Sequence, residues 1–369
     1  MLRPNFHNNK MASTSTLQIE AAQSVTPLKI IEPRQVRQVR VTEPIKPGIL
    51  NGRHHIVLYY NKLSDEDSGW ILAGWIKESL STALLEQPIL AGRIRRKKDD
   101  DNGLVIVAND SGIRLIETRI AMTLFEFLKL KHEKVDVEAE LVFWKDIDEQ
   151  NPEFSPLFYV QVTNFQCGGY SIGISCSLLL ADLFIMDKFL NKWANIHRNI
   201  VSKNDLSEKP IFYTPNLSKS GSSLIPQLIS STPCKNGGQS MIFNITDSGN
   251  LCMELALLCV QEAEQKLGVK MGSDFSLFTK ESSDVIKVEN WSRIEHDKQP
   301  LAKLECEITS ANWNDCGVYD VAFCEGNKPA SISNWIDSIS DGLVLAISSS
   351  KDGIYYGKVI VTLPNGKVH

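Results

Sequence analysis

The side chains that could do chemistry near neutral pH are most concentrated between residues 175 and 197. Ser175, Cys176 and Ser177 close a run of alternating residues, and Asp182 opens an amphipathic segment that ends at His197. A serine hydroxyl does not titrate near neutrality and needs a base beside it to act as a nucleophile. Cys176 shares the parity of Tyr170, Ile172 and Ile174, which points to the core, where free thiols are usually found. His197 falls in the last turn of the expected helix, where the helix dipole favours a cation. His54, His55 and His296 lie far away in the chain and read as surface or cap residues. The eight cysteines, at 167, 176, 234, 252, 259, 306, 316 and 324, show no CxxC and no Cys/His spacing. No metal site is expected from them, and their scatter fits a reducing compartment better than a disulfide framework.

The elements around these residues follow from periodicity. Phe158, Val160 and Val162 alternate with more polar neighbours, Cys167-Gly168-Gly169 supplies a turn, and Tyr170 to Cys176 resume the alternation. That is a two-strand signature with one buried face. The other face of the second strand carries Ser171, Gly173, Ser175 and Ser177. Such small residues make room either for a close neighbour or for a ligand. Asp182 is a good N-cap for a helix over 182–197, whose stripe is Leu183, Met186, Leu190 and Trp193.

Further out, a strand is expected over His54–Tyr60 and a helix over Trp70–Leu85, ended by Pro88. Strands over Leu104–Ala108 and Ile113–Glu117 and a helix over Thr123–Leu130 follow. Residues 199–240 are rich in Ser, Lys, Asn, Pro and Gly and read as a crossover. A strand at Met241–Ile245, a helix at Ser248–Leu267 closed by Gly268, and strands at Asp284–Val288, Gly342–Ser348 and Gly357–Leu363 complete an α/β pattern.

A chain of 369 residues is long enough for two domains. A net charge of −5 and a pI near 5.9 give no attraction to nucleic acid or to anionic membrane. Arg34, Arg37 and Arg40 form one basic cluster, and Arg93, Arg95, Arg96, Lys97 and Lys98 form another, followed at once by three aspartates. Both read as solvated surface. No apolar run approaches the ~18 residues of a spanning helix, and the first residues lack a signal-peptide core. A cytoplasmic monomer is expected.

Several segments, in order, resemble the plant BAHD acyltransferases. They are Leu80-Ser81 through Pro88-Ile89-Leu90-Ala91-Gly92-Arg93, Asn109 to Arg114, and Phe154-Ser155-Pro156-Leu157 leading through Val160 to Val162 and Cys167-Gly168-Gly169. The resemblance covers roughly residues 50–200 and is looser beyond. It implies a two-domain α/β fold of the chloramphenicol-acetyltransferase type, with mixed sheets and an interdomain tunnel. Acyl-CoA would be a co-substrate, with no permanently bound cofactor.

The family places its general base in a His-x-x-x-Asp-Gly motif directly after the Cys-Gly-Gly strand. Here that motif is Leu178-Leu179-Leu180-Ala181-Asp182-Leu183. The aspartate remains as the remnant of the motif and the histidine is Leu178, so no intact catalytic residue is expected. Losing a positioned base costs on the order of a hundred- to ten-thousand-fold in rate. A second, structural motif corresponds to Ala322-Phe323-Cys324-Glu325-Gly326, of which only the phenylalanine and last glycine agree.

The resemblance divides the chain into a disordered tail (1–25), a first domain (26–200), a crossover (201–240) and a shortened second domain (241–369). Eceriferum-type members also depart from the second motif and share the character of Asn109–Arg114 and Phe154–Gly169. They imply an accessory role beside a fatty acid elongase subunit at the endoplasmic reticulum, in wax biosynthesis. An active O- or N-acyltransferase is the alternative.

Overall fold

The computed structural model describes residues 17–41, 48–63, 69–97, 103–133, 137–180, 182–203, 239–246, 253–292, 307–313, 320–337, 341–351 and 354–364. Two mixed sheets organise them. The first runs β1 (Leu17–Val25), β6 (Ile113–Ile120), β7 (Phe158–Phe165), β8 (Tyr170–Ser177), β3 (Arg53–Tyr60) and β13 (Ser331–Ile336). Of its neighbouring pairs, β6 and β7 are parallel and the others antiparallel. The α/β class with two mixed sheets agrees with the sequence expectation.

Every residue of β3, β7 and β8 is buried, as in central strands covered on both faces. One face carries Ile56, Leu58 and Tyr60 of β3 with Ile172, Ile174 and Cys176 of β8. It packs on the helices α1 (Gly69–Ala83) and α3 (Leu183–Lys203) and on residues of the second sheet. The other face carries Val57 and Tyr59 and is covered by α2 (Leu124–Glu133) and a 3-10 turn at Val137–Leu141. The small residues of β8 point to that turn. A Cβ on Gly173 would stand 1.8 Å from the Leu141 carbonyl oxygen. A close neighbour therefore fills the small-residue face, and the ligand alternative does not apply there.

The second sheet runs β12 (Glu307–Ala311), β9 (Ser240–Thr246), β15 (Ile354–Thr362), β14 (Leu343–Lys351), β10 (Asp274–Ser282), β11 (Val285–Ser292), β2 (Val36–Val41), β5 (Leu104–Val107) and β4 (Arg93–Arg96). Its outer face is covered by α4 (Met253–Leu267), through Leu255, Cys259, Val260 and Ala263. Gly268 follows that helix with φ +68° and its N–H bonds the Glu264 carbonyl, as its C-cap role requires. β2, β4 and β5 come from the first third of the chain, whereas β13 returns from residues 331–336 to the first sheet. Each sheet thus takes strands from both halves of the sequence.

Three sequence expectations are corrected. Residues 17–25, placed in a disordered tail, are strand β1, because Ile113–Ile120 offers an edge for its backbone to pair; residues 1–16 lie outside the described residues. The basic clusters are not wholly surface. Arg37 and Arg93 are buried while Arg40, Arg95 and Arg96 are exposed. Alternation along β2 turns Arg37 inward and Arg40 outward, whereas β4 is buried over its first two residues and exposed over its last two. The helix expected to end at His197 continues to Lys203, so His197 is not at its terminus. Most of the crossover, residues 204–238, and His296 lie outside the described residues.

Candidate functional site

Position 178 lies where the first sheet meets the second. β8 ends at Ser177, whose N–H bonds the Leu157 carbonyl, and the Leu178 N–H bonds the carbonyl of Gly52 just ahead of β3. The Leu178 side chain is 0% exposed. A Cβ on Gly52 would meet its Cδ1 at 2.9 Å and the ring of Phe278, from β10, at 3.3 Å. Leucine here is core packing between the sheets, and complete burial of such a side chain contributes roughly 1.5–3 kcal/mol.

Asp182 precedes α3, and its carbonyl accepts the Met186 N–H at 2.7 Å. Its carboxylate, 2% exposed, pairs with Lys280 of β10. Arg37, from β2, donates to the Leu179 carbonyl at 3.1 Å. Burial lowers the Arg37 pKa, against the opposing fields of Asp182, Cys176 and Asp284. The motif's surviving carboxylate therefore ties the start of α3 to the second sheet. Breaking such a buried pair from one side costs several kcal/mol, because a charge is left uncompensated.

The segment corresponding to the second motif is also structural. Phe323 lies edge-on to Trp193, with ring centroids 4.8 Å apart, and against His197 at 5.5 Å. The Tyr60 hydroxyl donates to the Val321 carbonyl at 2.7 Å, and Asn327 Nδ2 to the Asn61 carbonyl at 2.9 Å. These contacts fasten residues 321–327 to β3 and α3.

The histidines depart most from expectation. His197 is buried on α3, with Nδ1 3.1 Å from Ser79 Oγ of α1. Burial, with Arg198 nearby, pushes its pKa down to about 3, so it is a neutral core residue and not a terminal cation. His55 is buried with Nδ1 2.8 Å from Ser175 Oγ and Nε2 3.4 Å from Asp337 Oδ1. Arg53 Nε donates to Asp337 at 2.5 Å, and Trp335 Nε1 donates to the same carboxylate at 3.2 Å.

Serine, histidine and aspartate in a row are the members of a hydrolytic triad. Ser175, however, is 1% exposed on the face filled by the 137–141 turn. The row clamps β13 to β3 and β8. Burial lowers the His55 pKa, leaving it neutral at pH 7. Burial alone would raise the Asp337 pKa, but its neighbours outweigh it and hold it below the ordinary value, with Arg53 the permanent cation among them.

His54 faces the opposite side, the side of position 178. It pairs directly with Cys176 across β8 and with Ile336 across β13. It is 2% exposed and stacked on the indole of Trp313, with ring centroids 5.3 Å apart. Its Nε2 is buried with no hydrogen-bond partner. Burial, then the neighbouring His55, push its pKa down to about 3 against a hydrogen bond with Asn334. Cys176 is core as expected, its thiol pushed up to about 12 by burial. Sequence reading placed His54 at the surface. The available signal for burial was an imidazole two residues before an unbroken apolar run, at a strand parity shared with Ile56, Leu58 and Tyr60.

Among the described residues, no group of three or more His, Cys, Asp or Glu could hold a metal ion, and no helix is long and apolar enough to cross a membrane.

The model of the Transferase family matches residues 49–232. Protein ECERIFERUM 26-like from Arabidopsis thaliana is 32% identical over 119 residues, 32% of this chain and 27% of that protein. Acetyl-CoA-benzylalcohol acetyltransferase from Clarkia breweri is 31% identical over 143 residues, 39% of this chain and 31% of that enzyme. The matched part thus spans about a third or less of either relative. Among solved structures, that of vinorine synthase covers 94% of this chain and 95% of its own, with a TM-score of 0.44 and 15% identity.

Proposed function

We propose that this chain is a BAHD-type member of the Transferase family that binds an acyl group or acyl-CoA without transferring it. The observation that carries the reading is Leu178. At the position of the family's general base it has no lone pair and no titrating proton, and it is packed against Gly52 and Phe278. The match to the Transferase model over residues 49–232 supports the family, and the Eceriferum likeness supports an accessory role. On this reading the protein works beside a fatty acid elongase subunit, peripherally at the endoplasmic reticulum, in supplying very-long-chain acyl groups for wax.

The likeness to an acetyltransferase favours the alternative of an active O- or N-acyltransferase. That reading needs a base within reach. His54 shares the face of Leu178, but a pKa of about 3 makes it a poor proton acceptor at neutral pH. General bases work best with a pKa near the operating pH.

The test is release of the coenzyme A thiol from acetyl-, malonyl- and very-long-chain acyl-CoA in the presence of alcohols and amines. The unaltered chain should release none above the uncatalysed background. The Leu178→His variant should gain turnover if donor and acceptor still bind as in the family. Clear turnover by the unaltered chain, lost on Leu178→Trp, would overturn the binding-only reading.

A further inference from the structure

Seven large apolar side chains are exposed among the described residues, and three of them fall within nine consecutive positions. Leu28 is 57% exposed, Ile30 77% and Val36 40%. Between the buried Pro27 and Arg37, every residue is exposed except Ile31, which is partly buried. Single exposed aliphatic residues are ordinary on a protein surface, whereas a cluster of them marks a place where something docks.

The segment carries the chain from β1 in the first sheet to β2 in the second, and it is pinned at both ends. The Leu28 N–H bonds the Ser81 carbonyl at 3.0 Å, and Ser81 Oγ donates to the Thr26 carbonyl at 2.6 Å, in the last turn of α1. At the far end the Ala108 N–H bonds the Gln35 carbonyl at 2.9 Å, just past β5. Pro27 and Pro33 fix two of its φ angles. The backbone is thus held in place with its aliphatic side chains in water.

The charges and side-chain types select the occupant. Lys29 and Arg34 are exposed and have no ion-pair partner among the described residues. Against Glu32 they leave this segment at +1, on a chain of −5. The exposed phenylalanines elsewhere sit beside exposed carboxylates, Phe125 next to Glu126 and Phe154 next to Glu153. Protein partners are anchored mainly by Trp, Tyr and Arg, with Leu and Val under-represented and Lys depleted. Aliphatic tips between a lysine and an arginine match a bilayer surface, with methyl groups below the headgroups and cations level with anionic lipid. The whole-chain charge gives no attraction from a distance, but at contact charges beyond about 8 Å are screened at physiological salt.

We infer that residues 28–36 form a docking loop for an anionic membrane surface, inserting Leu28 and Ile30 and holding headgroups with Lys29 and Arg34. This rests on the peripheral location proposed above and names the surface that produces it. Two aliphatic tips and two cations give reversible attachment, far short of the insertion of a spanning helix.

The experiment sediments the full chain with vesicles of phosphatidylcholine alone, or of phosphatidylcholine and phosphatidylserine at about three to one. The unaltered chain should prefer the mixed vesicles, and about 1 M salt should weaken that preference. Leu28→Gln with Ile30→Gln should lower the bound-to-free ratio roughly tenfold or more, since two aliphatic side chains no longer leave water. Lys29→Gln and Arg34→Gln should each lower it about fivefold on mixed vesicles and leave phosphatidylcholine binding unchanged. Phe125→Gln removes an exposed apolar side chain on α2 and should change neither. All five side chains are exposed, so urea midpoints should stay at the unaltered value. No binding to mixed vesicles, full binding by the Leu28→Gln/Ile30→Gln protein, or an equal loss in Phe125→Gln each overturns the inference. An elongase subunit recovered with the unaltered chain and lost with that double variant, without vesicle binding, assigns the loop to a protein and also overturns it. Vesicles carry no thioester, so coenzyme A release is scored separately. Turnover by a chain that docks through this loop would refute the binding-only function and leave the loop standing.

Discussion

Acid should destabilise this protein well above the pH at which its carboxylates are neutralised. His54 and His197 are both buried and both depressed to about 3, whereas an unfolded imidazole titrates near 6.5. Between these values the unfolded chain binds more protons than the folded one, so stability falls as pH is lowered through the window from 6.5 to 3. From pH 7.5 to pH 5.0 the loss is about 2 kcal/mol for each imidazole, or about 4 kcal/mol for the pair. Burial acts in the same direction on His55. Glu20 and Glu117 oppose it, because burial raises their pKa and the folded state then takes up protons as pH falls. The difference between the unaltered chain and His54→Leu removes that background. Urea midpoints followed by tryptophan fluorescence at the two pH values are the assay. The variant should lose about 2 kcal/mol less than the unaltered chain over this interval. Equal losses would show that folded His54 takes up a proton near its ordinary pKa, and the account of a neutral, desolvated ring would be wrong.

Other substitutions test the packing around the site. Leu178→Ala should cost roughly 2–5 kcal/mol in urea denaturation, as expected for a cavity between sheets, and a neutral effect would show that the two sheets do not close on this side chain. Lys280→Met should cost roughly 3–5 kcal/mol by removing the β10 cation from the buried Asp182 carboxylate; adding Asp182→Asn should recover part of that loss, and two independent, additive losses would argue against the pair. Gly173→Ala places a methyl 1.8 Å from the Leu141 oxygen and must push β8 and the 137–141 turn apart. A melting temperature unchanged by it would contradict the packing of that face, where about 3 kcal/mol of strain is expected.

What the sequence disclosed, and what it hid, follows from how local each signal is. The β7–β8 hairpin and α3 were legible because alternation, a Gly-Gly turn and an amphipathic stripe are written in one continuous stretch, residues 158–193. β12 and β13 were not, since Glu307–Ala311 and Ser331–Ile336 are short, mix polar with apolar residues without a clean alternation, and become strands only by adding to edges that other segments provide. β1 was hidden for the same reason. The site divided along this line too. Leu178 and Asp182 could be placed from their own motif, and the structure gives each a packing role. His54 lies over a hundred residues away, and only the β3–β8 register sets it beside Cys176. Its neighbour His55 differs by one step of strand parity and meets an opposite fate. His55 turns to Ser175 and Asp337 and is satisfied, while His54 turns toward Trp313 and keeps an unpaired nitrogen. Two adjacent identical residues thus differ in chemistry because a pleat sends them to different faces.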